Sequence, residues 1–158
     1  METVASSGTA VVSIPSDTEI LITREFDAPR QLVYKAVTTP DLIKRWWSAK
    51  RGEVTLVEVD LRVGGKWRYV MVTDGGFEVG FHGEYREIIP NEKIVNTEVY
   101  EGAPGGEENA AVNTTTLVEE AGRTTLTVLV TMPTKEGRDM ILESGMEAGL
   151  QDAYDLLE

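Results

Sequence analysis

The stretch ITREFDAPRQLVYKAVTTPDLIKRWW, residues 22–47, decides the fold. Ile20, Ile22 and Phe26 alternate with polar residues, the two-residue period of a half-buried strand. DAP then stops the strand. Asp27 is the expected helix cap, with Pro29 at the first helical position, where its missing N–H costs little. Leu32, Val33, Ala36 and Val37 share one face of the helix that follows. Thr39 and Pro40 open a second short helix that ends on the pair Trp46–Trp47. Neighbouring helical side chains diverge by about 100°, so the two rings cannot share a face. One is expected beneath the last helix and the other nearer the surface; burial in a core outweighs ligand stacking as the reason for a tryptophan here.

Working outward, the chain turns to strands after Glu53. EVTLVEVDL and KWRYVMVTD flank Gly64-Gly65, and Gly75-Gly76 gives the next bend. FEVGFHGEYREIIP and EKIVNTEVYE flank Pro90-Asn91, and AAVNTTTLVEE and RTTLTVLVTMP flank Glu120-Ala121-Gly122. Their β-branched content suits a pleated sheet. The remainder, TKEGRDMILESGMEAGLQDAYDLLE, has helical spacing of its apolar residues. Strands joined in sequence by tight turns imply an antiparallel sheet, and a lone long helix must bury its stripe against that sheet's concave face. Residues 1–17 read as a flexible leader and residues 18–158 as one domain.

The chain has 158 residues and a net charge of −12, from 27 acidic and 15 basic side chains. Such a surface repels phosphate backbones, and the densest basic run, KRWWSAKR, is short, so nucleic acid is excluded as a partner. No apolar run approaches the ~18 residues of a membrane span. Cysteine is absent, which rules out disulfides and thiolate chemistry and fits a reducing, cytoplasmic setting. No glycine pair opens a helix after a strand, so no dinucleotide loop is read. No cofactor or metal is expected: His82 is the single histidine, without ligand spacing.

The words ITREFDAPRQLVYKAVTTPDLIKRWW, DLRVGGKWRYVM, HGEYREIIPNEKIV and EAGLQDAYDLL occur in an order that resembles the START/Bet v 1-like (SRPBCC) superfamily. Within it, the chain resembles the activator-of-heat-shock-protein-90-ATPase homologue family, over residues 20–158. The resemblance implies an α+β helix-grip fold: a curved antiparallel sheet of six to seven strands around a long C-terminal helix, with two short helices after the first strand. It also implies a cavity between sheet and helix.

Strand parity then nominates the lining. Trp67, Tyr69 and Met71 share one face; Phe81, Gly83 and Tyr85 share another, leaving His82 outward between charged neighbours. Thr114, Thr116 and Val118 are read as inward, with Leu126, Val128 and Val130 on the next strand. Adding Trp47 at the mouth and Met140, Ser144 and Gly145 from the last helix completes a set for a hydrophobic, lipid-like, aromatic or polyketide-like ligand. Residues Ile94, Asn96, Glu98 and Tyr100 form one face of their strand. Turned inward, it would bury a carboxylate, which needs a partner or a raised pKa. The alternative, with Val95, Thr97 and Val99 inward and Glu98 on the surface, breaks no burial rule and is preferred. Three functions follow: a non-catalytic small-molecule binder first, a module contacting a chaperone or other protein second, and a cyclase- or hydrolase-like enzyme using Glu98 or His82 third. An edge strand permits a homodimer as readily as a monomer.

Overall fold

The computed structural model describes residues 11–46, 52–101 and 110–143. In chain order the elements are β1 (Val11–Ser16), β2 (Glu19–Phe26), α1 (Arg30–Thr38), α2 (Pro40–Trp46) and β3 (Gly52–Val59). There follow β4 (Lys66–Thr73), β5 (Glu78–Ile89), β6 (Lys93–Tyr100), β7 (Ala111–Glu120), β8 (Arg123–Thr131) and α3 (Lys135–Glu143). The strands form one antiparallel sheet of eight, ordered β1-β2-β8-β7-β6-β5-β4-β3. That is one strand more than expected at most. The extra one, β1, falls in the stretch read as a flexible leader: Val12 pairs with Ile22 and its side chain packs on the core. Of the stretch expected to form a long C-terminal helix, α3 covers Lys135–Glu143; residues 144–158, among them Ser144 and Gly145, lie outside the described residues, as do Trp47 and the Met140 side chain.

The helices follow local rules. Pro29, not Asp27, is the α1 cap, and it offers no side-chain bond. The orphan N–H of Arg30 instead donates to Glu119 Oε1 at 2.9 Å, from the far end of β7, which satisfies the helix end and sets an acid against its positive pole. Thr39 is extended (φ −97°, ψ 119°) because Pro40 disfavours helical geometry in the residue before it. One helical stretch is thereby split in two. At the other end of the chain, Arg138 donates to the Ser16 carbonyl at 2.6 Å and to Asp139, fastening α3 to the β1–β2 turn.

Register carries one face across the sheet. Ile22 pairs with Val128, Val128 with Thr115, and Thr115 in turn leads through Ile94 to Ile88. On this concave side Ile20, Ile22, Phe26, Leu117, Leu126 and Val130 are sealed into one cluster with Val33 of α1; each such side chain is worth about 1.5–3 kcal/mol when fully buried. A second cluster joins Trp67, Tyr85 and Ile94. Tyr34 of α1 packs against both.

Candidate functional site

The concave face is unevenly filled. At its β2–β8 side Ile20 and Leu126 are 0% and 2% exposed. Across β4 to β7, by contrast, Tyr69, Met71, Phe81, Asn96, Glu98, Asn113 and Thr115 are all half-buried, so they keep accessible surface while facing the interior of the curve. The wall there is aromatic. Trp67 and Tyr69, two residues apart on β4, set their rings 4.8 Å apart at a 51° tilt, and Phe81 stacks on Tyr100 at 5.2 Å. Burial holds the Tyr69 and Tyr85 hydroxyls well above the usual tyrosine pKa, so both remain protonated donors.

A break in the ladder between β5 and β6 shapes this wall. Opposite Gly83 and Glu84 the Thr97 carbonyl is turned to side chains: Trp67 Nε1–H donates to it at 3.1 Å and Asn96 Nδ2 at 3.1 Å. Glu84 N–H donates to the Thr97 hydroxyl at 3.0 Å instead. The indole crosses β5 over Gly83, where any side chain would strike it and the Thr97 backbone. One pair further along β6, Glu98 faces inward. Asn113 Nδ2 donates to its Oε1 at 3.1 Å. Burial pushes the Glu98 carboxyl above its ordinary pKa, and the Asn113 bond partly offsets that. Asn113 Oδ1 is buried without a hydrogen-bond partner.

The opposite face carries a separate charged group. Arg68 forks onto Glu101 through Nε (2.9 Å) and Nη2 (2.8 Å), and His82 Nδ1 lies 2.8 Å from Glu101 Oε2. The Arg68 bonds, helped by His82, lower the Glu101 carboxyl to about 2. A depression of about 450 Å³, lined in part by Glu58, Lys66, Arg68 and His82, lies beside this group. His82 therefore points away from the aromatic wall, on the face of Arg68, with which it pairs. Among the described residues no cluster of His, Cys, Asp or Glu is placed to hold a metal ion, and no helix is long and apolar enough to cross a membrane.

A family model for Activator of Hsp90 ATPase homolog 1-like protein matches residues 27–158. The chain belongs to this family. It is an SRPBCC family, and solved structures share the fold of this member over nearly its whole length. A protein from Rhodobacter sphaeroides is 25% identical, with a TM-score of 0.86 over 94% of this chain and 95% of that one. Protein Ms6760 from Mycobacterium smegmatis is 23% identical, with a TM-score of 0.83 over 94% of both chains. A third, from Arthrobacter aurescens, is 24% identical, with a TM-score of 0.81 over 93% and 90%. None of the curated proteins matches the chain.

On this Activator of Hsp90 ATPase homolog 1-like scaffold, Trp67, Tyr69, Met71, Phe81 and Tyr85 come together on the concave face. So do Leu126, Val128 and Val130, although Leu126 and Val130 are shut into the core. Thr114 and Thr116 do not. They pair with Leu129 and Thr127 and point to the other side, while Asn113, Thr115 and Leu117 face in. The cause is the β7–β8 turn. It has two residues, Ala121 and Gly122, both at positive φ (54° and 79°), so Glu120 pairs with Arg123. Reading Glu120 as a third turn residue slips the register by one and flips the face. Glu98 is the second correction: the surface reading fails because Asn96 pairs with Asn113 on the face of Ile22. Asn113 was missed outright, and the preference for type I′ two-residue turns was the signal that could have found it.

Proposed function

We propose that this protein binds a small hydrophobic or aromatic molecule on the concave face of its sheet, without transforming it, in the cytoplasm. The observation that carries the reading is the row Trp67, Tyr69, Phe81 and Tyr85 beside half-buried neighbours that keep accessible surface while facing inward. Aromatic walls with a few polar groups are what small-molecule sites are made of. Of the two side chains that a catalytic reading would use, His82 lies on the opposite face, bound to Glu101, and Glu98 faces the wall with Asn113 as its hydrogen-bond partner, where this reading gives it a binding role. Thermal-shift and native mass-spectrometry screens against acyl lipids and polycyclic aromatics test the idea. Stabilisation should grow with ligand concentration, and Trp67→Ala or Tyr69→Ala should reduce it. A folded sample that takes no member of either class refutes it.

A second reading, contact with a chaperone or other protein, draws on the family to which the chain belongs and on the net charge of −12. A basic partner would be steered to such a surface. Binding that weakens steeply between low and high salt is its expected sign.

A further inference from the structure

The sheet ends at β3, and among the described residues no strand pairs with its outer side. An edge strand turns unpaired N–H and C=O groups outward, a template for one more strand. The opposite edge is blunted: β1 carries Pro15, which has no N–H to offer, and its register breaks between Ser13 and Ser16. β3 has no proline. Glu53, Thr55 and Glu58 are exposed along it, while Val54, Leu56 and Val59 are half-buried.

The charge on this edge is one-sided. A register shift between Val54 and Leu56 sets Thr55 outside the ladder, so Glu53 and Glu58 share the convex face although five residues apart. Glu58 stands across from Arg68, yet that guanidinium forks onto Glu101 at 2.9 and 2.8 Å. Neighbouring charges are answered locally: Arg62 bonds Asp60 at 2.8 Å, and Lys66 faces Glu84 across the ladder. Glu53 stands across from Val72, whose other neighbour is Glu78. Among the described residues neither Glu53 nor Glu58 has an ion pair or hydrogen bond. The depression of about 450 Å³ bordering Glu58 leaves room for a long side chain.

A second copy of β3 does not fit here. Antiparallel pairing about Thr55 and Leu56 would set Glu53 of each chain against Glu58 of the other, and like charges directly opposite are destabilising. A positive strand meets both acids. The β4 residues opposite Glu53 and Glu58, Val72 and Arg68, are four apart, which gives the spacing for a strand on the outer side.

We infer that the β3 edge takes up an extended basic segment of a partner protein, with Lys or Arg side chains four residues apart against Glu53 and Glu58 and apolar residues between them. Main-chain bonds supply the affinity and the side-chain pairs the specificity. This rests on the protein-contact reading above and gives that contact a place and a pattern.

An end-capped, labelled peptide holding Lys-Val-Thr-Val-Lys, titrated by fluorescence anisotropy, tests the assignment. Its controls are the same peptide with Glu for both Lys, and two forms N-methylated at alternate residues, one for each set of main-chain donors. The lysine peptide should bind the native protein and weaken at high salt. It should bind Glu53→Gln/Glu58→Gln about two- to thirty-fold less tightly, the range of two cross-strand charge pairs. On Glu53→Lys/Glu58→Lys the glutamate peptide should become the better ligand, and one of the two N-methylated forms should fail on the native chain. A lysine peptide that binds both variants as well as the native protein, or whose N-methylated forms both bind as tightly, overturns the inference and leaves a basic partner to be met elsewhere on the surface. If no basic peptide binds even at low salt, the reading of a basic partner falls with it. A native protein that sediments as a dimer, and as a monomer once Thr55→Pro breaks the edge, seats its own copy there and overturns the choice of occupant.

Discussion

Gly83→Ala tests the geometry of the wall most directly. A Cβ at this position would run into the Thr97 carbonyl and lie 2.7 Å from Trp67 Nε1. Neither obstacle yields cheaply. The carbonyl is main chain in the middle of β6, held by two donors, and the indole is 5% exposed and packed on Tyr85 and Ile94. Forcing one methyl group into a packed core costs about 1–3 kcal/mol. Displacing the indole also forfeits its hydrogen bond, worth about 0.5–1.5 kcal/mol. The expected loss is therefore about 2–4 kcal/mol, or roughly 5–15 °C in Tm for a domain of this length. Urea and thermal unfolding followed by circular dichroism read it out. Gly80→Ala is the control: its Cβ would meet only the carboxyl end of Glu101, whose displacement strains the Arg68 and His82 bonds and should cost about 1 kcal/mol. Adding Trp67→Phe should not rescue Gly83→Ala, because the nearer obstacle is backbone. A Gly83→Ala protein within 0.5 kcal/mol of the native one refutes the close crossing of indole, β5 and β6.

Three further outcomes follow from the same contacts. Glu98 has a folded-state pKa raised by burial, so native stability should fall as pH climbs from the unfolded carboxylate value through the folded one. Glu98→Gln removes that loss, and its stability relative to the native chain should rise across the window; a difference that stays flat from pH 4 to pH 9 would mean a solvated side chain. Glu101 is the opposite case: with its pKa lowered to about 2, its contribution is present above the unfolded value and lost as pH falls towards 2. Glu101→Gln should cost about 1 kcal/mol at pH 7 and nothing at pH 2, by urea titration at each pH. At the β7–β8 turn Ala121 holds φ 54°, a conformation L-alanine disfavours, so Ala121→Asn should add about 0.5–1 kcal/mol. No gain in the urea midpoint would contradict the type I′ geometry.

The elements were largely legible because their signals are local. Pro29, Pro40 and the glycine turns mark boundaries by sterics, and alternation in KWRYVM and FHGEY sorts faces correctly where no bulge intervenes. What escaped is what depends on partners. Alternation in KIVNTEVY allows either face inward, and only pairing with β7 decides that Glu98 faces in. In NTTTLVEE the face hangs on whether the turn has two residues or three. The strand Val11–Ser16 was hidden by its serines and a proline, residues an edge strand tolerates. The helix cap on α1 comes from Glu119, 89 residues away, beyond the reach of any local rule.

The placement of β2 beside β8 has a consequence for synthesis. Ile20 pairs with Val130, roughly 110 residues later. At about 5–20 residues per second of elongation, the earliest long strand waits roughly 5–20 seconds for its inner neighbour to leave the ribosome. The hairpins from β3 to β6 can assemble meanwhile, each with its partner close behind it in the chain. The half of the sheet that carries the aromatic wall thus forms first, and the half that holds the sealed apolar cluster closes last. Until then Ile20, Ile22 and Phe26 lack the β8 side chains that help to cover them in the folded protein.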